Sequence, residues 1–453
     1  SSQRVLKDYF KVQILFFKMI GVNLENSDNS FKSRVYFVYS QVILILTVYL
    51  FFITECVDLI GKWGDIDNMT FNLCYLLSQT AGICKIVAIM LRREKVKKML
   101  KILESDYFLP NYDRGGITEY RIIKEAVRQI NVQTYFLNTI VCLIVANRGF
   151  FAGFDKGYFE PTDDFSGNGT VKHYQLLPYT TWFPFDTNIT PFYEIAFIYQ
   201  IAGALMGGLV IGTSDSFICG LMVHVKAQLR ILKNNLKNHV KKAIREKEIN
   251  TDINKQVPNI TLYDTKKLLP EVQALIKHYL GECIIHHQKI IHLAERVESD
   301  FSYIMLIQFL TSLGLLCLSM FQISNNNVKS TGFLSMACFS FMMFYQLFMF
   351  CWNGNGVLEL SLDIVFAAYD SEWFLCDLEI QKAIISIIQR AQRPLQISAG
   401  KFAFLTLETY MNVINFIIFL LDETIYRFYE LRDRIIWFYK TLINNFTKYT
   451  NVF

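Results

Sequence analysis

The chain has 453 residues, 52% of them hydrophobic and only 19% charged, with a formal net charge of +5. So few charges, gathered between long apolar runs, exclude an ordinary soluble domain. The small positive surplus, with no basic tract interleaved with aromatics, excludes nucleic acid as a partner.

The first 34 residues carry Arg4, Lys7, Lys11, Lys32 and Arg34 ahead of any apolar run. No cleavable leader is visible there, so the first span is expected to insert as an uncleaved anchor. Uncharged runs follow at 35–54, 130–147, 195–214, 301–328 and 330–358. Each is near or above the ~18–20 residues that cross a hydrocarbon core as a helix. A further run, 70–84, resumes at 86–91 after the single Lys85, and the last, 402–421, is interrupted by Glu408. The expectation is an all-α membrane protein with seven transmembrane helices.

Charge orients them, because basic residues near spans stay in the cytoplasm. Between spans two and three stand Arg92, Arg93, Lys95, Lys97, Lys98 and Lys101; between four and five stand Lys226, Arg230, Lys233, Lys237, Lys241, Lys242 and Arg245. The alternate connections hold Lys62, then Arg148, Lys156 and Lys172, then Lys329. The N-terminus is therefore expected in the cytoplasm and the C-terminus outside. This divides the chain into a cytoplasmic N-terminus (1–34), spans one to four (35–222) with an outer loop at 153–191, a cytoplasmic helical loop (223–300), spans five and six (301–358), a cytoplasmic anchor segment (359–401), span seven (402–421) and an extracellular tail (422–453). Glycosylation sequons at Asn68, Asn168, Asn188 and Asn445 fall outside on this map, and that at Asn259 falls inside, where it should stay unmodified. A G-protein-coupled receptor has the opposite orientation. Its usual triplet is also missing at the end of span three (Ala146-Asn147-Arg148-Gly149), and its Pro from the last span.

The inner segments show helical periodicity. Ile284, Ile285, Ile291, Leu293 and Val297 recur at three and four, so spans four and five should continue as helices into the cytoplasm, joined by a flexible polar connection at 250–258. In 359–396, Leu375, Leu378, Ile380, Ile384, Ile385, Ile387 and Ile388 oppose Glu379, Lys382 and Arg390, giving an amphipathic helix that should end before Pro394. Such helices need cover, which favours a packed inner anchor domain shared between subunits over helices lying on the membrane surface.

Span seven differs from the rest. Glu408, Asn412, Asn415, Phe419 and Asp422 fall within about 80° of one another at helical periodicity, and Glu423 extends the acidic end. A polar stripe in a membrane helix faces water or a bundle interior. These six residues are candidate pore-lining positions for a cation path around a symmetry axis; the alternative is amide bonding between neighbouring helices. The ten cysteines lack metal-ligand spacing, and no cofactor, nucleophile elbow or paired-carboxylate motif is present, so no enzyme chemistry is expected.

Tyr369-Asp370-Ser371-Glu372-Trp373, Arg390-Ala391-Gln392-Arg393-Pro394-Leu395, Ala399-Gly400-Lys401-Phe402 and Leu407-Glu408-Thr409 together resemble the C-terminal signature of insect odorant receptors. Gln346-Leu347-Phe348 with Cys351 and Gly354-Asn355 is similar to that family's exit from span six. Leu177-Pro178-Tyr179 with Trp182-Phe183-Pro184-Phe185-Asp186 is similar to its second outer loop. Asp215 with His224 resembles the end of its span four, and His287-Gln288 the approach to span five. The likeness covers about 175–421. The sister gustatory receptors place Gln-Phe after Thr-Tyr in the last span, whereas Thr409-Tyr410 here continues Met-Asn-Val-Ile-Asn-Phe.

The resemblance implies four subunits around one pore, each contributing its last helix, with an odorant-tuning subunit pairing with a common co-receptor. It implies a small volatile odorant bound in the outer half of the membrane between spans two to six. Binding then opens a gate near the outer end of the last helix to conducted cations, with no G protein required. Pocket candidates are Tyr75 and Ser78; Ile144, Asn147 and Phe151; Tyr199, Gly203 and Met206; Leu316 and Met320; and Met336, Phe339 and Tyr345. Asn147, Ser78 and Tyr199 are the choices for a hydrogen bond. One departure is the tail, where Phe428, Leu431, Ile435, Phe438, Leu442 and Phe446 predict an extracellular amphipathic helix. A gustatory channel and a small-molecule transporter are the rival readings.

Overall fold

Helix length decides which parts of the chain fit a bilayer. The computed structural model describes residues 9–24, 31–105, 107–154, 158–162, 170–174, 176–254, 270–326 and 331–424. The first span runs through α2 (Phe31–Ile43), a π-helical stretch at Leu44–Tyr49 and α3 (Leu50–Gly61). It is followed by α4 (Ile66–Leu91), whose first turn is capped by Asp65 accepting from the Asn68 N–H at 3.2 Å. A basic helix, α5 (Arg93–Leu103), then leads to α6 (Tyr112–Phe154), which breaks at Gly116 where φ is 65°. Next come α7 (Phe192–Asn254), α8 (Pro270–Asn325), α9 (Thr331–Tyr369), α10 (Leu378–Ala391) and α11 (Leu407–Thr424).

Among the described residues six helices are long and apolar enough to cross a membrane, and the apolar part of α11, Leu407–Phe419, is a shorter seventh. With 63 and 56 residues, α7 and α8 would be about 95 and 84 Å long at ~1.5 Å per residue. Each exceeds a ~30 Å hydrocarbon core by more than half its length. Both therefore project well beyond the spans, as their periodicity predicts. The helix of α7 runs through Asn254, five residues into the connection expected to be irregular; the rest of that connection lies outside the described residues.

α7 packs on α4, α6, α8 and α9, and so forms the centre of the bundle. Beyond the spans its basic face meets acids of α9 and the segment after it: Lys233–Asp363 at 2.9 Å and Lys237–Asp370 at 3.1 Å. Each such half-exposed pair contributes little; the packing beneath them is apolar. α10 buries Ile380, Ile384, Ile387 and Ala391 and stops before Pro394, leaving Leu378 and Ile385 exposed.

Three features were not visible in the sequence. α1 (Lys11–Met19) lies in the basic N-terminal stretch and packs on α6 and α7, with Phe10 5.2 Å from the Phe217 ring and Gln13 Nε2 donating to Thr134 Oγ1 at 2.6 Å. The loop between α6 and α7 holds an antiparallel pair, β1 (Tyr158–Thr162) with β2 (Thr170–Tyr174). A second pair, β3 (Ser398–Ala399) with β4 (Ala403–Phe404), turns through Gly400 (φ 61°) and Lys401 (φ 64°). It is pinned to α8: the Gly400 N–H donates to the Ser302 carbonyl at 3.0 Å, and Ser302 Oγ donates to the Ser398 carbonyl at 3.1 Å. This joint sets where α11 starts, so residues 402–406 of the last apolar run approach the helix instead of belonging to it.

Candidate functional site

The bundle interior is polar at one level. Lys85, the charge that splits span two, reaches Asp215 at 2.6 Å with both side chains fully buried, and Gln346 Nε2 also donates to Asp215. Two buried charges persist only when paired and hydrogen-bonded, so the two isolated charges of spans two and four are partners. Lys226 Nζ donates to Asn353 Oδ1 at 2.8 Å further along α7.

Elsewhere in the bundle the helices leave a partly open cleft of about 60 Å³. Its walls come from α3 (Phe51, Glu55), α4 (Tyr75, Ser78, Gln79), α6 (Val141, Ile144, Val145), α7 (Ala204, Gly208, Ile211) and α9 (Phe339, Met342, Met343), and Tyr179 closes it from the loop before α7. That loop is fixed by polar contacts. Gln200 Nε2 donates to the Tyr179 carbonyl at 2.8 Å and Gln200 Oε1 accepts from the Tyr179 N–H at 3.0 Å. Arg148 donates to the Pro178 carbonyl at 2.8 Å, and the Trp182 N–H to the Thr54 carbonyl at 3.1 Å. A mostly apolar cleft with a few convergent polar groups is the usual form of a small-molecule site.

Of the thirteen pocket candidates, Tyr75, Ser78, Ile144 and Phe339 line this cleft. Tyr199 and Gly203 stand behind its Phe51 wall: the Tyr199 ring is 6.1 Å from that of Phe51, and a Cβ on Gly203 would meet Phe51 at 2.7 Å. Met206 is half-buried against the core. Asn147 donates to Ser335 Oγ at 3.4 Å, Phe151 lies 5.7 Å from the Phe150 ring, and Tyr345 lies 4.7 Å from that of Phe136. Leu316, Met320 and Met336 are buried among the helices. These nine are outside the cleft's lining.

Eleven of the fifteen lining residues were not among the candidates read from the sequence, and Glu55 is the charged one among them. The uncharged run ends at Thr54, so Glu55 reads as the start of a loop, yet the helix continues to Gly61 and buries the carboxyl. Tyr179 was legible only as part of a family motif.

α11 packs on α8 and α9 through Tyr410, Val413, Ile414 and Ile417, all buried. Glu408, Asn412, Asn415 and Phe419 stand exposed on its opposite side, with Phe416 beside them. The stripe read from periodicity is thus the face that this subunit leaves uncovered. Asp422 and Glu423 belong to the last turn of the helix, but their side chains lie outside those described, as do residues 425–453 with the amphipathic tail and Asn445, and Asn168 and Asn259. Asn68 is exposed and Asn188 half-buried. Among the described residues, no group of three or more His, Cys, Asp or Glu side chains is placed to hold a metal ion.

In the projecting part of α8, His286 Nε2 meets Gln228 Oε1 at 3.0 Å. Burial first, then the nearby Arg114 and His287, push the His286 imidazole down to about 3; burial and Arg390 push His287 down to about 4. Both are therefore neutral packing groups at neutral pH.

Comparison with known proteins adds the following. The model of the family described as "7tm Odorant receptor" matches residues 65–418. The chain is 20% identical over 423 residues to Odorant receptor Or1 of Anopheles gambiae, covering 90% of this chain and 93% of that one. It is 20% identical over 413 residues to the odorant receptor coreceptor of Harpegnathos saltator, covering 80% and 86%. Its fold is similar to that of the insect olfactory receptor OR5 of Machilis hrabei in complex with eugenol, with a TM-score of 0.69 at 17% identity over 91% of this chain and 97% of the other. At that identity the likeness carries the fold alone.

Proposed function

Because the chain belongs to the 7tm odorant receptor family of insects, we propose that it is the odorant-tuning subunit of a ligand-gated, non-selective cation channel, assembled as a heterotetramer with the common co-receptor in the plasma membrane of olfactory sensory neurons. The observation that carries this reading is the uncovered polar face of α11, Glu408, Asn412, Asn415 and Phe419. Amides and a carboxyl on one side of a membrane helix are costly against lipid. Facing a shared axis they would line a water-filled path, with Asp422 and Glu423 at its outer end favouring cations.

The cleft supplies the ligand site. It lies among the first four spans and the sixth, under the loop at 176–183, and Tyr75, Ser78, Ile144 and Phe339 are its inherited candidates. For a ligand of roughly ten to fifteen heavy atoms at ~0.3–0.5 kcal/mol each, affinity would be micromolar or weaker. The remaining candidates, from Asn147 to Tyr345, would act from behind the walls. The exposed Leu378 and Ile385 of α10 support an inter-subunit anchor on the cytoplasmic side. Basic charge on α5 and the far part of α7 supports a cytoplasmic N-terminus.

Current recording from cells expressing the chain with and without the co-receptor tests the proposal. Odorant-evoked cation current that requires the co-receptor supports it; ligand-evoked current of the chain alone that the co-receptor does not change favours a gustatory-type channel. Substrate uptake with no unitary openings from reconstituted protein favours a transporter.

A further inference from the structure

We propose that the cleft selects a protonated amine, with Glu55 as its counter-ion and the surrounding aromatic rings completing the cation site; this rests on reading the cleft as the ligand site of an odorant receptor.

Glu55 is 1% exposed, lines the cleft, and its Oε2 accepts no hydrogen bond among the described residues. The Asn72 and Arg148 donors are committed elsewhere, whereas the Tyr75 hydroxyl, which also lines the cleft, has no partner among the described residues. The Asn72 amide donates to Asp58 at 2.9 Å and to the Thr180 and Glu55 carbonyls at 3.2 and 3.3 Å. Asp58 holds Lys62 at 2.8 Å. Arg148 donates to the Pro178 carbonyl and lies 4.9 Å from the Phe71 ring. A carboxylate enclosed by apolar walls with no cation beside it is costly, and a ligand ammonium would supply the missing partner.

The walls carry the complementary half of such a site. The Tyr75 ring meets those of Tyr179 at 5.0 Å and Phe339 at 5.4 Å, and Phe51 meets Tyr179 at 6.3 Å, so the four lining rings are contiguous. Aromatic faces attract a cation, most strongly when it is desolvated. A carboxylate beside linked rings is chemistry for an ammonium; a hydrocarbon or ester would use the rings and leave the carboxyl unpaired.

The full-length chain in lipid nanodiscs is titrated calorimetrically with 2-phenylethylamine, 2-phenylethanol and ethylbenzene. The amine should bind about tenfold or more tighter than the alcohol, the worth of one charge-assisted contact, and Glu55→Gln should bring that preference close to one. Phe339→Leu, which keeps the cleft filled, should weaken the amine more than the alcohol and serves if the Glu55 variant does not fold. Equal binding of amine and alcohol, no binding of the amine, or a preference that Glu55→Gln leaves intact would overturn the assignment. No conduction is needed for this readout. Currents evoked by neutral odorants without amine binding would sink the amine site alone; amine binding without any current would sink the channel reading alone.

Discussion

Replacing Asp215 by Asn leaves the shape of the bundle centre unchanged and removes one charge. The pair it breaks, Lys85–Asp215, is separated by 2.6 Å with both side chains fully buried. At an effective dielectric constant near 20, that distance corresponds to about 6 kcal/mol of attraction, offset by a desolvation cost of several kcal/mol for each ion. The intact pair is therefore close to balance, whereas the single variant keeps the cost of burying Lys85 and loses its compensation. Asp215→Asn should lose about 3–5 kcal/mol, and Lys85→Met combined with Asp215→Leu should return to within about 2 kcal/mol of the parent. Reversible unfolding of the purified protein in mixed detergent micelles measures both. A single variant within about 1 kcal/mol of the parent, or a double variant as damaged as the single, would refute the view that these two charges compensate each other.

Four further outcomes are expected. His286 and His287 take up protons more readily unfolded than folded, because their folded values, about 3 and about 4, lie below the ordinary imidazole value. Their contribution to stability is thus complete above ~6.5 and declines as the pH falls towards the folded values, by up to about 2 kcal/mol per imidazole between ~6.5 and 5. Unfolding at pH 7.5 and 5 should show that loss, and His286→Gln should reduce it. Gly354→Ala would set a Cβ 2.3 Å from the Leu405 carbonyl oxygen at the approach to α11, so melting should register about 1–3 kcal/mol of overpacking. Gly281→Ala, with nothing within 4 Å, should be neutral or stabilising by up to ~1 kcal/mol. Endoglycosidase treatment should shift the native chain but not Asn68→Gln/Asn168→Gln/Asn188→Gln/Asn445→Gln; a residual shift that disappears with Asn259→Gln would reverse the orientation.

The spans and the α11 stripe were legible because one rule, apolar run length or helical period, determines each. Lys85 was legible as a single charge inside an apolar run and Asp215 only through the family resemblance, and their pairing across 130 residues depends on how α4 and α7 pack. The cleft was less so. Its walls come from five helices and a loop, and no periodicity within one segment reports what stands across a gap. Glu55 was hidden because a charge marks the end of an apolar run whether the helix stops there or continues, as α3 does to Gly61. α1 was missed because its fixing contacts, Phe10 with Phe217 and Gln13 with Thr134, lie on distant helices.

State-dependent cysteine modification along α11 examines the conduction path directly. Asn412→Cys and Asn415→Cys, on the uncovered face, and Val413→Cys and Ile417→Cys, on the buried one, are each co-expressed with the co-receptor and exposed to a charged thiol reagent during odorant-evoked current. The account predicts rapid, irreversible block at Asn412 and Asn415 and none at Val413 or Ile417. Block confined to the buried pair, or current indifferent to all four, would place the ions on another route.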